Sequence, residues 1–216
     1  MKKIYCISGL GADHRFFTRL AIPGYTLVPV PWVPHSEDDT LATYAMKMYA
    51  SIPEEAPNII GLSFGGMLAT EISKKVPEAR VLLVSSAKTK SELGYDSALL
   101  RWLSRAEVIP AAWFVNPNPL ILFMLGAETE EEKATFRTML IAGDPVFVKW
   151  CAHAILHWEN ETIPQGLFQV HGTADRVIRP GNVHPDRWVE DGSHIMIYNR
   201  PEEVAQALSD HLEITI

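Results

Sequence analysis

The chain has 216 residues, 47% of them hydrophobic and 21% charged, with a formal net charge of −7 at pH 7. This length and composition are typical of one globular domain with a single sizeable core. The negative charge argues against a protein that holds nucleic acid or an anionic membrane surface mainly by electrostatic attraction.

Cysteine content and the length of the apolar runs indicate a compartment. Cys6 and Cys151 are the two cysteines, which are too few for a disulfide framework and suit a reducing environment. The apolar run near the amino terminus is too short for a signal peptide, and no run approaches the roughly 20 residues that a membrane helix needs. We therefore expect a cytoplasmic protein.

Strand-like and helix-like runs alternate in the first part of the chain. Short apolar runs predict strands over 3–10, 25–32, 56–63 and 79–87. Amphipathic spacing predicts helices over 36–52 and 64–76. Ser36 followed by Asp39 is a capping-box pattern for the start of the first helix. Pro29 and Pro31 cannot donate to a sheet ladder, so the second strand is expected near an edge.

The second part of the chain begins with a segment of a different kind. Residues 88–160 contain successive helical stretches with no convincing strand, and residues 99–125 are dense in aromatic and aliphatic side chains. Strands are then predicted over 166–172 and 185–192, and a last helix over 200–212. The alternation predicts an α/β fold with a parallel sheet, interrupted by an all-helical insertion.

Residues 61–66, with the sequence GLSFGG, join a predicted strand to a predicted helix. Glycines at 61 and 65 flank Ser63, as expected at a sharp strand-to-helix turn where larger side chains would collide. Such a turn lifts the Ser63 hydroxyl clear of the carboxyl edge of the sheet. It also places the backbone N–H of Phe64 at a helix N-terminus, where negative charge is favoured. The pattern indicates a serine nucleophile.

A serine nucleophile needs a base, and the base needs an orienting acid. Asp175 lies in the loop after the predicted strand 166–172, and His194 follows the last predicted strand. Ser63, Asp175 and His194 all fall at the carboxyl ends of predicted parallel strands, where such sheets build their sites. The two later residues are therefore the candidates for acid and base.

These motifs resemble those of the α/β-hydrolase superfamily over nearly the whole chain. The order Ser63, Asp175, His194 is the family's nucleophile–acid–base order. GLSFGG resembles the nucleophile elbow and SGLGADHRFF (8–17) resembles the oxyanion loop. HGTADRVI (171–178) resembles the acid loop, and GSHIMIYNRPEEVAQAL (192–208) resembles the histidine loop and final helix.

The resemblance implies a single α/β-hydrolase domain over 1–216, with a helical cap inserted at about 88–160. The chain starts at what would be the family's third strand, which implies a sheet of about six strands without the N-terminal hairpin. The oxyanion hole would use the backbone N–H groups of Phe64 and Leu10, with Gly11 as the alternative to Leu10. The alternative stays open because Ser8-Gly9 stands where the family commonly has a His-Gly pair.

By the same resemblance, we expect a serine hydrolase that cleaves an ester or thioester of a small acyl substrate. The apolar density of residues 99–125 predicts that this substrate is lipophilic. Ser63 attacks the carbonyl, His194 transfers the proton and Asp175 holds the imidazole. A small molecule is the expected partner, and no nucleic acid, membrane, metal or organic cofactor is expected. Two alternatives stay open: a carbon–carbon bond hydrolase or lyase on the same triad, and a non-catalytic small-molecule binder.

Three other groups compete for these roles. Asp191 lies three residues before His194 and is the alternative acid, although both residues would then share one short loop. His171 is expected to be structural because it falls at a strand end. His153 and His157 have the spacing of two zinc ligands on a helix, but no third ligand is evident, so a helix face under the cap is the preferred interpretation.

Overall fold

The computed structural model describes residues 1–94, 108, 110–113 and 115–214. Its centre is a six-stranded sheet in which every neighbouring pair is parallel. The strands are β1 Lys2–Ile7, β2 Tyr25–Pro29, β3 Asn58–Leu62, β4 Arg80–Val84, β5 Leu167–Gly172 and β6 Arg187–Val189. Their order is β2-β1-β3-β4-β5-β6, so β2 is an edge strand, as Pro29 and Pro31 predict. The predicted parallel six-stranded sheet is confirmed.

Helices cover both faces of the sheet. The described residues form α1 Leu41–Ala50, α2 Phe64–Lys75, α3 Pro119–Leu125, α4 Glu130–Ala142, α5 Pro145–Leu156, α6 Met196–Asn199 and α7 Pro201–Ile214. One core cluster joins the sheet to α1, α2 and α5, and a second joins it to α4, α6 and α7. Adjacent residues such as Ile59 and Ile60 of β3 fall in different clusters, because successive side chains of a strand point to opposite faces.

The start of α1 differs from the prediction. The helix is capped by Thr40, whose Oγ1 accepts the backbone N–H of Thr43, and not by Ser36. Ser36 and Asp39 instead close a turn, in which the Asp39 carboxylate accepts the Ser36 N–H and the Asp39 N–H donates to the Ser36 carbonyl. Asp39 also binds Lys47 at 2.6 Å. The predicted helix start is wrong because these local side-chain bonds offer the backbone an alternative to the first helical turn.

The described part of the segment between β4 and β5 contains helices and no strand. Much of the apolar stretch 99–125, including residues 99–107, lies outside the described residues. Helix α5 packs against α1, with the rings of Trp150 and Tyr44 4.7 Å apart, so it belongs to the layer that covers the sheet. The bounds of a cap within 88–160 remain a prediction.

Within the described ranges, no single helix is long and apolar enough to cross a membrane. Helices α4 and α5 meet the length and composition criteria only when joined across a bend of 96°.

Candidate active site

Ser63 occupies the turn between β3 and α2. Its backbone has φ 51° and ψ −117°, a conformation that is strained for a residue with a side chain. The strain is maintained by hydrogen bonds: the Ser63 N–H donates to the Val84 carbonyl at 3.0 Å, and the Ser63 carbonyl accepts from Gly66 and Met67. Ser86 Oγ also donates to the Ser63 carbonyl at 2.7 Å. The surrounding strands therefore fix the serine at the carboxyl edge of the sheet.

The glycines around Ser63 are required by close approach of the backbone. A Cβ atom at Gly61 would lie 2.5 Å from the Gly65 carbonyl oxygen, across the turn. A Cβ atom at Gly65 would lie 2.2 Å from the Ile7 carbonyl oxygen, at the end of β1. Neither neighbour is a flexible side chain that could move aside. The turn predicted from GLSFGG is present, and α2 packs against the end of β1 through Gly65.

His194 links Ser63 to Asp175. Its Nε2 atom lies 2.9 Å from Ser63 Oγ, and its Nδ1 atom lies 2.8 Å from Asp175 Oδ2. A carboxylate accepts hydrogen bonds, so Nδ1 carries the proton and Nε2 of the neutral ring can accept the serine O–H. His194 and Asp175 are buried, and Ser63 is partly exposed. The structure thus joins the three predicted side chains in one hydrogen-bonded chain.

The Asp175 carboxylate is held on both oxygens. Oδ1 accepts the backbone N–H groups of Val177 and Ile178 at 2.8 and 3.0 Å, and Oδ2 accepts from His194. The alternative acid, Asp191, is exposed, and its backbone N–H donates to Thr173 Oγ1 at 2.8 Å. Asp175 is therefore the carboxylate that contacts the imidazole.

His171 lies next to this acid. Its Nε2 atom is 2.9 Å from the Ile178 carbonyl oxygen and 3.4 Å from Asp175 Oδ2, and the ring is fully buried. Burial lowers the pKa of His171, which the nearby Asp175 charge offsets only in part. The sequence places His171 at a strand end but does not reveal its contact with Asp175, because that contact depends on how the loop 173–178 folds back.

Two backbone segments approach Ser63, the first turn of α2 and the loop after β1. Phe64 is the first residue of α2, so its N–H is one of those left without a partner inside the helix. The loop after β1 runs beside the serine: a Cβ atom at Gly9 would lie 3.3 Å from Ser63 Cβ. A hydrogen bond from the Ala12 N–H to the Gly9 carbonyl closes a turn over Leu10 and Gly11. Both expected donor segments thus lie at the serine.

A cavity of about 550 Å³ lies beside this loop. It is lined by Gly11, Ala12, Asp13, Trp32, Val33, Pro34, His35, Met139, Ala142, Gly143, Asp144, Phe147 and Val148. Ser63 is not among the lining residues. The cavity therefore lies next to the group formed by Ser63, His194 and Asp175 and does not include the serine. Trp32 connects the two regions, since its Nε1 donates to the Ala12 carbonyl at 3.2 Å and its ring lies 6.0 Å from that of Phe64.

The remaining histidine pair and the two cysteines make no hydrogen bond to Ser63, His194 or Asp175 in the described structure. His153 and His157 are exposed neighbours on one face at the end of α5, with ring centroids 4.1 Å apart. Among the described residues, no group of three or more His, Cys, Asp or Glu side chains could hold a metal ion. Both cysteines are free and buried, and burial raises the pKa of Cys6 to about 12 and that of Cys151 well above its usual value. Neither thiol is therefore a nucleophile at neutral pH.

A family model described as the alpha/beta hydrolase family matches residues 4–207. A search of curated proteins gives no match.

Solved structures of similar fold include three hydrolases. A thermophilic esterase is 18% identical with a TM-score of 0.72, and 99% of this chain and 90% of that chain are covered. The enol-lactonase from Burkholderia xenovorans is 17% identical with a TM-score of 0.74, covering 98% and 91%. A meta-cleavage product hydrolase from Pseudomonas fluorescens is 14% identical with a TM-score of 0.73, covering 100% and 92%. At these identities the likeness establishes a shared fold.

Proposed function

The chain belongs to the alpha/beta hydrolase family and is a hydrolase, and we propose that it cleaves an ester or thioester of a small, lipophilic acyl group. The observation that carries this proposal is the hydrogen-bonded chain from Ser63 through His194 to Asp175, with distances of 2.9 and 2.8 Å. A nucleophile, a base and an orienting acid in this order are the parts that acyl transfer to serine needs.

In the proposed reaction, Ser63 Oγ attacks the acyl carbonyl while its proton moves to His194 Nε2. The C–O π bond opens and places negative charge on the carbonyl oxygen. The tetrahedral intermediate then collapses, and His194 gives the proton to the departing alcohol or thiol. Water attacks the resulting acyl-enzyme in the same way, releasing the carboxylic acid and restoring Ser63. Asp175 keeps the His194 ring in the required tautomer and stabilises the imidazolium form.

The oxyanion is proposed to be stabilised by backbone N–H groups. Phe64 supplies one from the first turn of α2, where the helix dipole also favours negative charge. Leu10 supplies the second, with Gly11 as the alternative, from the loop that passes beside Ser63. All of these steps use side chains and backbone groups of the chain together with water and a small-molecule substrate.

We further propose that helices within 88–160 form a cap over this site. The support comes from α3, which docks on the loops that carry the acid and the base. The guanidinium of Arg176 lies 4.1 Å from the centre of the Phe123 ring and donates to the Phe123 carbonyl at 2.9 Å. A Cβ atom at Gly126 would lie 2.3 Å from Ser193 Cβ, next to His194.

We also propose a cytoplasmic location, because both cysteines are free and buried, as expected in a reducing compartment.

Turnover of p-nitrophenyl butyrate tests the proposed function. The wild-type protein should release p-nitrophenol, and Ser63→Ala should lose at least about a thousandfold in kcat, because the nucleophile is removed. Ser36→Ala, which changes an exposed serine in a turn, is the matched control and should keep wild-type turnover. Equal activity in wild type and Ser63→Ala would refute the proposal. Turnover of a β-diketone with no ester activity would favour carbon–carbon bond hydrolysis instead.

A further inference from the structure

The cavity of about 550 Å³ beside the loop after β1 has no role in the proposed reaction. It lies between the loop after β1, the loop after β2 and the corner that joins α4 to α5. Its volume is within the range of pockets that hold small molecules. Trp32, Val33, Phe147 and Val148 supply much of its apolar wall, so these walls come from regions other than the apolar stretch 99–125.

The cavity is adjacent to the proposed site of reaction. Gly11 and Ala12 line it, and they belong to the same tight turn as Gly9, which lies against Ser63. Gly11 has φ +68°, and a Cβ atom there would lie 3.3 Å from Leu140 Cδ2. One loop therefore contacts the serine through Gly9 and lines the cavity through Gly11 and Ala12.

The charged groups at the cavity are engaged within the protein. Asp13 is paired with the Arg15 guanidinium, at 2.6 Å from Nη2 and 2.9 Å from Nε. Asp144 Oδ1 caps α5 by accepting the backbone N–H of Val146 at 2.9 Å. The His35 ring lies against the rings of Trp150 and Phe147, at 5.0 and 5.6 Å between centroids. Both carboxylates already have partners within the protein, and the rest of this wall is aromatic. The cavity therefore favours an uncharged ligand over a charged one.

We propose that this cavity is a subsite for the distal part of an uncharged, lipophilic acyl chain whose carbonyl is at Ser63. The inference rests on the proposed function for the position of the carbonyl, and on the cavity alone for the chemistry of the chain. Each methylene buried there contributes about 0.8 kcal/mol, which is nearly fourfold in binding or in kcat/KM.

Filling the cavity from its rim tests the proposal. Ala142 lines the cavity and is exposed at its edge, so Ala142→Trp adds bulk there at little risk to the fold. Its neighbour Ile141 is 66% exposed and does not line the cavity, so Ile141→Trp is the matched control. The quantity measured is the ratio of kcat/KM for p-nitrophenyl hexanoate to that for p-nitrophenyl acetate.

The wild-type ratio should be at least about ten, since four added methylenes would enter the cavity. Ala142→Trp should lower the ratio at least about fivefold, and Ile141→Trp should leave it within about twofold. A wild-type ratio near one, or an unchanged ratio in Ala142→Trp, would overturn the subsite. If the melting temperature shows that Ala142→Trp does not fold, Ala142→Leu is judged by the same criterion.

A binding measurement separates the subsite from the proposed reaction. N-(4-nitrophenyl)hexanamide, a non-ester analogue, is titrated into Ser63→Ala protein and into its double variants with Ala142→Trp and Ile141→Trp. The subsite predicts a dissociation constant at least about fivefold higher with Ala142→Trp alone. That result without ester turnover in the wild type would reject the proposed function and keep the subsite. Ester turnover in the wild type, together with equal binding of the amide in all three proteins, would keep the proposed function and reject the subsite.

His171 is buried beside Asp175. Because a carbonyl oxygen accepts, the contact of 2.9 Å to Ile178 shows that Nε2 carries a proton. The same Nε2 atom lies 3.4 Å from Asp175 Oδ2, and Nδ1 is buried without a hydrogen-bond partner among the described residues. The Ile178 N–H in turn donates to Asp175 Oδ1. His171 therefore ties down the turn that holds the acid, and its ring lies beside the Asp175 oxygen that accepts from His194.

We infer that His171 is a positioning residue for Asp175 in the proposed reaction. His171→Phe removes the donor from a ring of similar size, and His171→Gln restores an N–H donor at a similar distance from the backbone. His171→Phe should lower kcat for p-nitrophenyl butyrate at least about tenfold with KM nearly unchanged, as expected for a lost buried hydrogen bond. His171→Gln should stay within about threefold of wild type.

Equal losses in the two variants, or no loss in either, would overturn this role. If His171 only filled space in the core, phenylalanine would replace it. Activity that is lost with phenylalanine and kept with glutamine therefore shows that the N–H donor positions Asp175. If His171→Phe does not fold, His171→Leu replaces it under the same criterion. Full activity of the Ser63→Ala variant would reject the proposed function itself, whatever the His171 variants show.

Discussion

The Nδ1 atom of His194 lies 2.8 Å from Oδ2 of Asp175, although 19 residues of sequence separate them. The carboxylate nearest to His194 in sequence, Asp191, is exposed and sits in a turn with φ 53°. Asp175 can approach the imidazole from behind because it comes from the loop after β5, whereas Asp191 shares the loop of His194 itself. This geometry favours Asp175 as the acid.

Replacing each of these aspartates by asparagine tests the assignment. Asp175→Asn should lower kcat at least about a hundredfold with little change in melting temperature, because the amide favours the wrong imidazole tautomer while the packing is kept. Asp191→Asn is the matched control and should stay within about tenfold of wild type. Steady-state kinetics on p-nitrophenyl butyrate measure both. A crippled Asp191→Asn beside an active Asp175→Asn would reverse the assignment.

The glycine contacts at the serine turn predict a large effect of one methyl group. Gly65→Ala would place a Cβ atom 2.2 Å from the Ile7 carbonyl oxygen, so the free energy of unfolding should fall by about 3 kcal/mol or more. Gly181→Ala meets no atom within 4 Å and should change stability by less than about 0.5 kcal/mol. Urea unfolding measures both, and equal stability of the two variants would show that β1 and α2 are not in such close contact.

The burial of His171 predicts a dependence of stability on pH. Its pKa is lowered in the folded protein, so below pH 6.5 the unfolded chain binds a proton that the folded chain does not. The contribution of His171 to the free energy of unfolding is therefore fully present above pH 6.5, and it falls as the pH drops toward the lowered pKa. The slope should be at most about 1.4 kcal/mol per pH unit for one proton.

Urea unfolding at pH 7 and pH 5 measures this effect. The loss of stability between the two pH values should be smaller in His171→Gln than in wild type. His14→Gln, which changes an exposed histidine, should keep the larger loss of the wild type. An equal loss in wild type and His171→Gln would show that His171 is not the group responsible.

The sheet and the candidate triad could be predicted because their signals are local. Each strand is a short apolar run, and Ser63, Asp175 and His194 each follow a predicted strand. In a parallel sheet the carboxyl ends of the strands meet at one edge, so local positions were enough to bring the three residues together. The glycines of GLSFGG likewise reflect contacts within one turn and its nearest strand.

The remaining features depend on contacts between distant segments. The bond from Ser86 to the Ser63 carbonyl and the contact of His171 with Asp175 join residues whose own sequence surroundings give no sign of a partner. The cavity combines Trp32 with the α4–α5 corner, more than 100 residues away in the sequence, so no local pattern marks it. The helix start at Thr40 was missed because Ser36 and Asp39 give the same capping signal in a turn.

Labelling with a fluorophosphonate probe, followed by mass spectrometry of the digested protein, identifies the nucleophilic serine. We expect one modified serine, Ser63, because its hydroxyl is hydrogen-bonded to His194 and lies at the N-terminus of α2. His194→Gln should label much more slowly, since the base is lost. Modification of a different serine, or no modification of a folded sample, would contradict the assignment of Ser63 as the nucleophile.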